Sequence, residues 1–187
     1  MSVMQVTLID RVLPRRLSSD LVLVFSGALL TALFAQIQIP MYPVPMTLQT
    51  LAVLLIAAAM GPIRAMSSMG LYIAMGAAGL PVFAGAKALG AVMPTAGYLV
   101  GFVVAGAVVG FLATRGFAKT PLSVGMVFAL GSLVIYIFGA GWLMVGLGLS
   151  LPQALAGGVI PFLVGDAVKA AAAAALLPIA WKLVRLS

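Results

Sequence analysis

Long apolar stretches, separated by short groups of Pro, Gly and charged residues, run through most of the chain. A transmembrane helix needs about 20 mainly apolar residues, so stretches of this length predict membrane-spanning helices. The second stretch is short, and it either lies inset in the bundle or crosses the bilayer incompletely. Six spans are predicted, over residues 21–39, 46–60, 63–80, 95–114, 122–147 and 161–184.

Three connections between these spans have an unusual pattern. The 1–2 connection (residues 36–46) has three prolines and no charge, which predicts an extended, semi-rigid segment. The 3–4 connection (residues 80–94) is mostly apolar, which suits a lid packed over a cavity. The alternative is interfacial or re-entrant structure without a ligand. In the 5–6 connection, Ser150 and Pro152 predict the start of one or two helical turns that Gly157 and Gly158 would end.

Composition supports a membrane protein and excludes several kinds of site. Of the 187 residues, 64% are apolar and 7% are charged, whereas soluble domains have about 25% charged residues. Cysteine and histidine are both absent, which excludes disulfides, thiol chemistry and Cys/His metal sites. The chain has no P-loop motif, so we expect neither nucleotide hydrolysis nor any other enzyme activity, and no cofactor.

The distribution of cations predicts the orientation in the membrane. Lys87 alone lies on one predicted side, and Lys169 lies within the sixth span. Because cytoplasmic loops are enriched in Lys and Arg, the opposite side and both termini are predicted to be cytoplasmic. The scattered cations form no basic stripe, so we expect no nucleic-acid partner. The eight cations on the cytoplasmic side are Arg11, Arg15, Arg16, Arg64, Arg115, Lys119, Lys182 and Arg185.

We therefore expect an all-α membrane protein with a single membrane domain over residues 1–187. Residues 1–20 would form a cytoplasmic N-terminal segment, and residues 21–184 a six-helix bundle in the lipid bilayer. The long outer loops would be its lids.

Asp166 and Lys169, in the sixth span, are the strongest candidates for chemistry. If the helix begins near Pro161, Asp166 lies about 8 Å inside its outer end. Residues at i and i+3 share a helix face, and each ionised group costs about 2.5–3.5 kcal/mol in hydrocarbon. We expect the pair to face the protein interior and to contact a polar ligand. The alternative is a structural pair that only neutralises itself.

Other polar and aromatic residues cluster toward the same predicted outer side. Amide, hydroxyl and phenol groups there are candidates for lining a pocket, although capping or interfacial anchoring explains any single one. Four aromatic residues are candidates for its apolar walls. The polar candidates are Gln36, Gln38, Thr47, Gln49, Thr50, Thr95 and Tyr98, and the aromatic ones are Tyr42, Phe83, Tyr136 and Trp142.

Small residues at helical spacing predict close helix contacts. Ala28 and Ala32 form a small-xxx-small pair in the first span, where they suit either internal packing or a partner protein. In the fourth span, Gly97, Gly101 and Gly110 favour packing within the chain.

Four motifs together resemble the BioY family, the biotin-specific substrate-binding (S) components of energy-coupling factor (ECF) transporters. The motifs are Val44-Pro-Met-Thr-Leu-Gln-Thr-Leu51, Gly79-Leu-Pro-Val-Phe-Ala-Gly85, Pro94-Thr-Ala-Gly-Tyr-Leu-Val-Gly-Phe102 and Gly165-Asp-Ala-Val-Lys169. The resemblance extends over nearly the whole chain from residue 21. The chain departs from the family pattern at Ala96 in the third motif and at Lys87 in the loop before it.

The resemblance implies high-affinity biotin uptake across the cytoplasmic membrane of a prokaryote. Asp166 and Lys169 would contact biotin, and Ala28 and Ala32 would dock on a transmembrane coupling (T) subunit joined to two ATPases. The resemblance leaves open whether the chain also forms a homo-oligomer. Lys87 is expected to meet the tail carboxylate of biotin, while Val82 and Phe83 would support its apolar parts. The remaining expected binding residues are Thr47, Gln49, Gly85 and Tyr98.

Three functions compete at this point. The chain is a biotin-capture subunit, an S component for another vitamin or a stand-alone secondary transporter, or a membrane scaffold that binds only proteins. The insertion cost of Asp166 and Lys169 argues against the scaffold.

Overall fold

The computed structural model describes residues 7–14, 16–88, 90 and 93–186, with side chains described as far as residue 184. Arg15 and the side chain of Arg185, both in the predicted cytoplasmic cation set, lie outside this part. The described chain contains seven α-helices, one 3-10 turn (Ile9–Arg11) and a two-stranded sheet. The helices are α1 (Leu17–Gln36), α2 (Gln49–Met60), α3 (Pro62–Ala77), α4 (Ala96–Thr114), α5 (Pro121–Leu147), α6 (Leu151–Gly158) and α7 (Phe162–Leu186).

The helices agree with the apolar pattern, but not all are full-length spans. Within the described residues, α1, α4, α5 and α7 are long and apolar enough to cross a membrane. The short second span is confirmed, because α2 has only 12 residues and therefore a length of about 18 Å. At 16 residues, α3 is also short. In the described part, the six predicted spans correspond to four long helices and the two short helices α2 and α3.

The largest departure from the all-α expectation lies in the 1–2 connection. Strands β1 (Gln38–Ile39) and β2 (Met46–Thr47) pair antiparallel, with Gln38 opposite Thr47. This pairing ends α1 at Gln36, before the predicted residue 39. At its other end α1 begins at Leu17 rather than residue 21, which places Asp20 in its first turn, where a carboxylate favours the helix dipole.

Tight packing places α4 at the centre of the bundle, in agreement with the packing within the chain that its glycines predict. It is the most buried of the four long helices. A Cβ atom at Gly101 would lie 3.0 Å from the Cα atom of Ile135 in α5. One at Gly110 would lie 2.5 Å from the backbone nitrogen of Pro62 in α3. The helices can approach this closely only because these positions lack side chains.

An ion network at the end of the bundle opposite the 3–4 connection is not predicted from the sequence. Arg64 donates from Nη1 to Asp10 Oδ1 at 2.8 Å and from Nε to Asp20 Oδ1 at 2.8 Å. Asp10 Oδ2 also accepts from Thr7 Oγ1 at 2.7 Å. The N-terminal segment is therefore attached to the α2–α3 turn. Asp10 and Asp20 are structural partners of Arg64 and do not reach the Asp166 site.

Replacing Gly110 with alanine should destabilise the fold by about 1–3 kcal/mol, because the new methyl group meets backbone atoms that cannot move aside. Thermal unfolding of the purified protein in one detergent measures the change. Gly125→Ala is the matched control, since nothing lies within 4 Å of its added Cβ and alanine favours a helix. Equal effects of the two substitutions would contradict this packing account.

Candidate functional site

Asp166 and Lys169 form a buried ion pair in the first turns of α7. Their side chains are 8% exposed, and Lys169 Nζ lies 2.7 Å from Asp166 Oδ1. The prediction that the two residues share a face and point into the protein is confirmed. Because α7 begins at Phe162, directly after Pro161, the pair lies near the end of the bundle that the 1–2 and 3–4 connections cover.

The pair is held by side chains and backbone from two other helices and from β2. Lys169 Nζ donates to the Thr47 carbonyl and to Thr50 Oγ1, each at 2.8 Å. Thr50 in turn donates to Asp166 Oδ1 at 2.9 Å, and the Tyr136 hydroxyl donates to Asp166 Oδ2 at 2.5 Å. All three ammonium protons can therefore be satisfied, and the carboxylate accepts three hydrogen bonds.

Local sequence explains how these elements meet. A Cβ atom at Gly165 would lie 2.8 Å from Met46 Sδ, so the glycine lets β2 pack directly against α7. This contact brings the Thr47 carbonyl to Lys169. The predicted turns before α7 are also confirmed: α6 begins after Ser150, whose backbone N–H donates to Gln153 Oε1 at 2.9 Å.

A cavity of about 40 Å³ opens beside the ion pair. One buried water needs about 10–15 Å³ on this measure, so the space holds only a few water molecules. Five of the predicted binding residues line it, together with Thr50, Thr95 and Tyr136 from the wider set of candidates. The lining consists of Val44, Pro45, Thr47, Gln49, Thr50, Ala84, Thr95, Tyr98, Ile135, Tyr136, Phe162, Asp166 and Lys169.

Two predicted polar residues in the lining are already engaged with protein groups. Gln49 Nε2 donates to the Tyr72 hydroxyl at 2.7 Å, and Gln49 Oε1 accepts from Thr47 Oγ1 at 3.1 Å. The Tyr98 hydroxyl donates to the Gly158 carbonyl at 2.6 Å. Tyr98 therefore offers mainly its ring to the cavity, whereas Gln49 retains a second amide proton for a ligand.

Four residues expected in the binding set from the 3–4 connection do not line this cavity. Phe83 is buried against Tyr72 instead, and Val82 lies beside it. Gly85 and Lys87 are exposed. From this segment Ala84 reaches the cavity, because the turn between Phe83 and Lys87 directs it inward.

The expected docking pair on α1 is also positioned differently from the expectation. Ala28 is completely buried, and Ala32 is half-buried against the core. The small face of α1 instead permits close packing on α3, where a Cβ atom at Gly27 would lie 2.5 Å from Ser68 Oγ. In this conformation internal packing uses the small-xxx-small pair.

Tyrosines are the functional residues that sequence reasoning misses. From the sequence, Tyr136 is expected only as an apolar wall, and Tyr72 is not a candidate. A signal is nevertheless present, because a tyrosine inside an apolar span, away from the interface, needs a partner for its hydroxyl. Tyr136 finds that partner in Asp166 and Tyr72 in Gln49.

A second space reaches Asp166 from the side of α7 that faces α5. This groove of about 360 Å³ runs between α5 and α7 and is open to the surroundings of the bundle. Tyr136 and Asp166 separate it from the smaller cavity. Its other lining residues are mainly apolar: Ala129, Ser132, Leu133, Val159, Leu163, Ala167 and Ala170.

Comparison with known proteins identifies the family. The model of the BioY family matches residues 4–186, nearly the whole chain. The chain belongs to the BioY family. It is 37% identical over 146 residues to "Probable biotin transporter BioY" of Pyrococcus horikoshii, covering 77% of this chain and 85% of the relative. It is 32% identical over 166 residues to "Biotin transporter BioY" of Rhizobium etli, covering 79% and 88%.

A solved structure supports the fold. The 2.1 Å crystal structure of the S-component for biotin from an ECF-type ABC transporter matches with a TM-score of 0.75. The match covers 88% of this chain and 92% of that one at 22% identity. The BioY family match and the four long apolar helices together establish a multi-pass membrane protein with a mainly helical fold.

Breaking the ion pair of this BioY family member should cost more stability than removing it entirely. Asp166→Asn or Lys169→Met alone leaves one buried charge without its counter-charge, which costs about 3–5 kcal/mol. The double variant should lose less stability than either single variant. Thermal unfolding without ligand measures this double-mutant cycle, and additive losses would show that the two charges do not depend on each other.

Proposed function

We propose that this protein captures biotin and serves its uptake across a membrane as the S component of an ECF-type transporter. The observation that carries the proposal is the buried Asp166–Lys169 pair beside a small, mainly apolar cavity, in a chain of the BioY family. The curated relatives are biotin transporters by name, which supports the same ligand. The chain is thus a transporter subunit and not an enzyme, with biotin as cargo and no cofactor.

The chemistry of the cavity suits the fused ureido ring of biotin. That ring has two N–H donors and one carbonyl acceptor. Asp166 Oδ2 accepts one hydrogen bond in the structure and has a further lone pair for a ureido N–H. The free amide proton of Gln49 can donate to the ureido carbonyl. Phe162 and Ile135 supply apolar surface for the thioether ring.

The proposal includes a topology. Residues 1–187 form one membrane domain with six membrane helices, two of them short, and both termini face the cytoplasm of a prokaryotic cell. The site end of the bundle then faces outward, and the 1–2 and 3–4 connections cover it as lids. The excess of cations at the Arg64 end supports this orientation in the cytoplasmic membrane.

The proposed partners are a T subunit and two ATPases, because the chain has no nucleotide-binding motif of its own. We propose that α1 provides the docking helix, since it is the least buried of the four long helices. In the structure the exposed face of α1 presents Val22, Phe25 and Leu33, whereas Ala28 is buried against the rest of the bundle. For Ala28 and Ala32 to contact the T subunit directly, α1 must therefore move relative to α3.

Purified protein should bind biotin, and loss of either charge at the site should weaken binding roughly 10- to 100-fold. For Asp166 the lost hydrogen bond to a charged group contributes about 1.5–3 kcal/mol, which corresponds to that range, and Lys169→Met weakens the same bond because it removes the ammonium group that holds Asp166 in place. Equilibrium titration of Asp166→Asn and Lys169→Met measures the effect. Lys182→Ala, an exposed lysine on the same helix, is the matched control and should bind normally. No binding by the unmodified protein would refute the function, and normal binding by both site variants would refute the site.

Lys87 provides a separate test of how the tail of biotin is held. Its exposed ammonium lies on the 3–4 connection and outside the cavity lining, in a position to meet a carboxylate that projects from the cavity. Lys87→Ala should therefore weaken binding of biotin but leave binding of biotin methyl ester unchanged. The same loss for both ligands, or no loss for either, would contradict this role.

A further inference from the structure

The cavity is too small for a ligand of vitamin size in this conformation. Ligand pockets usually measure roughly 300–1,000 Å³, whereas this one has about 40 Å³. One of its walls is Ala84, which belongs to a lid segment of residues 82–87 in the 3–4 connection. Displacing that segment would enlarge the cavity without breaking the ion pair, so the attachments of the segment decide when a ligand can pass.

One attachment is apolar and deep. The Phe83 ring packs edge-on against Tyr72, with ring centroids 5.2 Å apart. Phe83 is 2% exposed, and it also lies over Gly76, where a Cβ atom would overlap the ring. The Tyr72 hydroxyl donates to the Val82 carbonyl at 3.3 Å. Withdrawing Phe83 would expose a large apolar surface, so this attachment suits a permanent anchor.

The other attachment is polar, exposed and made by one side chain. Gln36, the last residue of α1, donates from Nε2 to the carbonyls of Val82 and Phe83 at 3.3 and 3.2 Å, and the same nitrogen lies 3.1 Å from the Ala32 carbonyl of its own helix. Its Oε1 accepts from the Ala86 backbone N–H at 3.0 Å. The amide thus forms hydrogen bonds with the chain on both sides of Ala84, at Val82 and Phe83 before it and at Ala86 after it. Water can replace these bonds, so each contributes modestly and can be released without a large penalty.

We propose that Gln36 is the latch of the lid segment: releasing its side chain lets residues 84–87 swing on the Phe83 anchor and opens the cavity. Gln36 does not line the cavity, so it acts as a positioning residue. This inference deepens the proposed function and rests on it, because the latch then sets how fast biotin exchanges. Sequence reasoning places Gln36 among the pocket-lining candidates, and this inference gives its side-chain amide a different role.

The test uses the absence of native cysteine. A single cysteine introduced as Ala84→Cys lies on the cavity side of the lid segment, and its reaction rate with a charged, water-soluble methanethiosulfonate reagent reports opening in purified protein without any ligand. Adding Gln36→Ala should raise that rate at least 5-fold. Adding Gln36→Glu should raise it less than Gln36→Ala does, because a carboxylate of the same length still accepts from the Ala86 N–H but loses the donors to the Val82 and Phe83 carbonyls.

Two matched controls separate a latch from general loosening. Gln153→Ala removes another exposed glutamine, which caps α6 and does not contact the lid segment, so it should leave the Ala84→Cys rate unchanged. Ala173→Cys reports on a fully buried position in α7, and Gln36→Ala should not accelerate its labelling. Acceleration at both cysteines would mean that the substitution loosens the whole fold, and the latch would be refuted.

Ligand measurements then distinguish failure of this inference from failure of the proposed function. If biotin binds, Gln36→Ala should speed both its association and its dissociation at least 3-fold, with a smaller change in affinity. Unchanged labelling of Ala84→Cys in Gln36→Ala would overturn the latch, whether or not biotin binds. Accelerated labelling in a protein that does not bind biotin would support the latch and refute the proposed ligand.

Discussion

A buried ion pair in an apolar bundle is tolerated only when every donor and acceptor has a partner, and this constraint shapes the site end of the protein. Lys169 and Asp166 are satisfied by Thr47, Thr50 and Tyr136, which come from β2, α2 and α5. The pair therefore connects three otherwise separate parts of the fold to α7. Moving any one of them leaves a charge or a dipole without its partner.

The same constraint extends from the ion pair toward the lid segment. Thr47 uses its carbonyl for Lys169 and its hydroxyl for Gln49, and Gln49 reaches Tyr72, which donates to the Val82 carbonyl. Hydrogen bonds thus run without a gap from the charged site to the base of the lid. Because the inner end of this series is charged and buried, it is rigid, whereas the outer end at Gln36 is exposed and can release.

Sequence reasoning locates the buried ion pair because charges are rare in this chain. With three acids and ten cations, one ionic pair inside a predicted span is conspicuous, and helical periodicity is enough to place its two members on one face. The glycines of α4 predict its close packing within the chain for a similar reason, since a missing side chain has a direct steric consequence. Both predictions depend on residues close together in the chain.

The parts that could not be predicted depend on long-range contacts. Tyr136 donates to Asp166 because α5 packs beside α7 at this point. No local sequence pattern shows which helix will lie beside Asp166. Likewise, the burial of Phe83 depends on the space above Gly76, and the inward position of Ala28 depends on the approach of α1 to α3. The β1–β2 pairing could not be predicted because strands of two residues next to prolines are too short to show an alternation of apolar and polar residues.

The most direct test of this account is an experimental structure of the protein with biotin bound. The account predicts the ureido ring in the enlarged cavity, with a ring nitrogen about 3 Å from an Asp166 carboxylate oxygen. It also predicts that Phe83 stays against Tyr72. Biotin bound in the groove between α5 and α7, or at any place without contact to Asp166 and Lys169, would contradict the account.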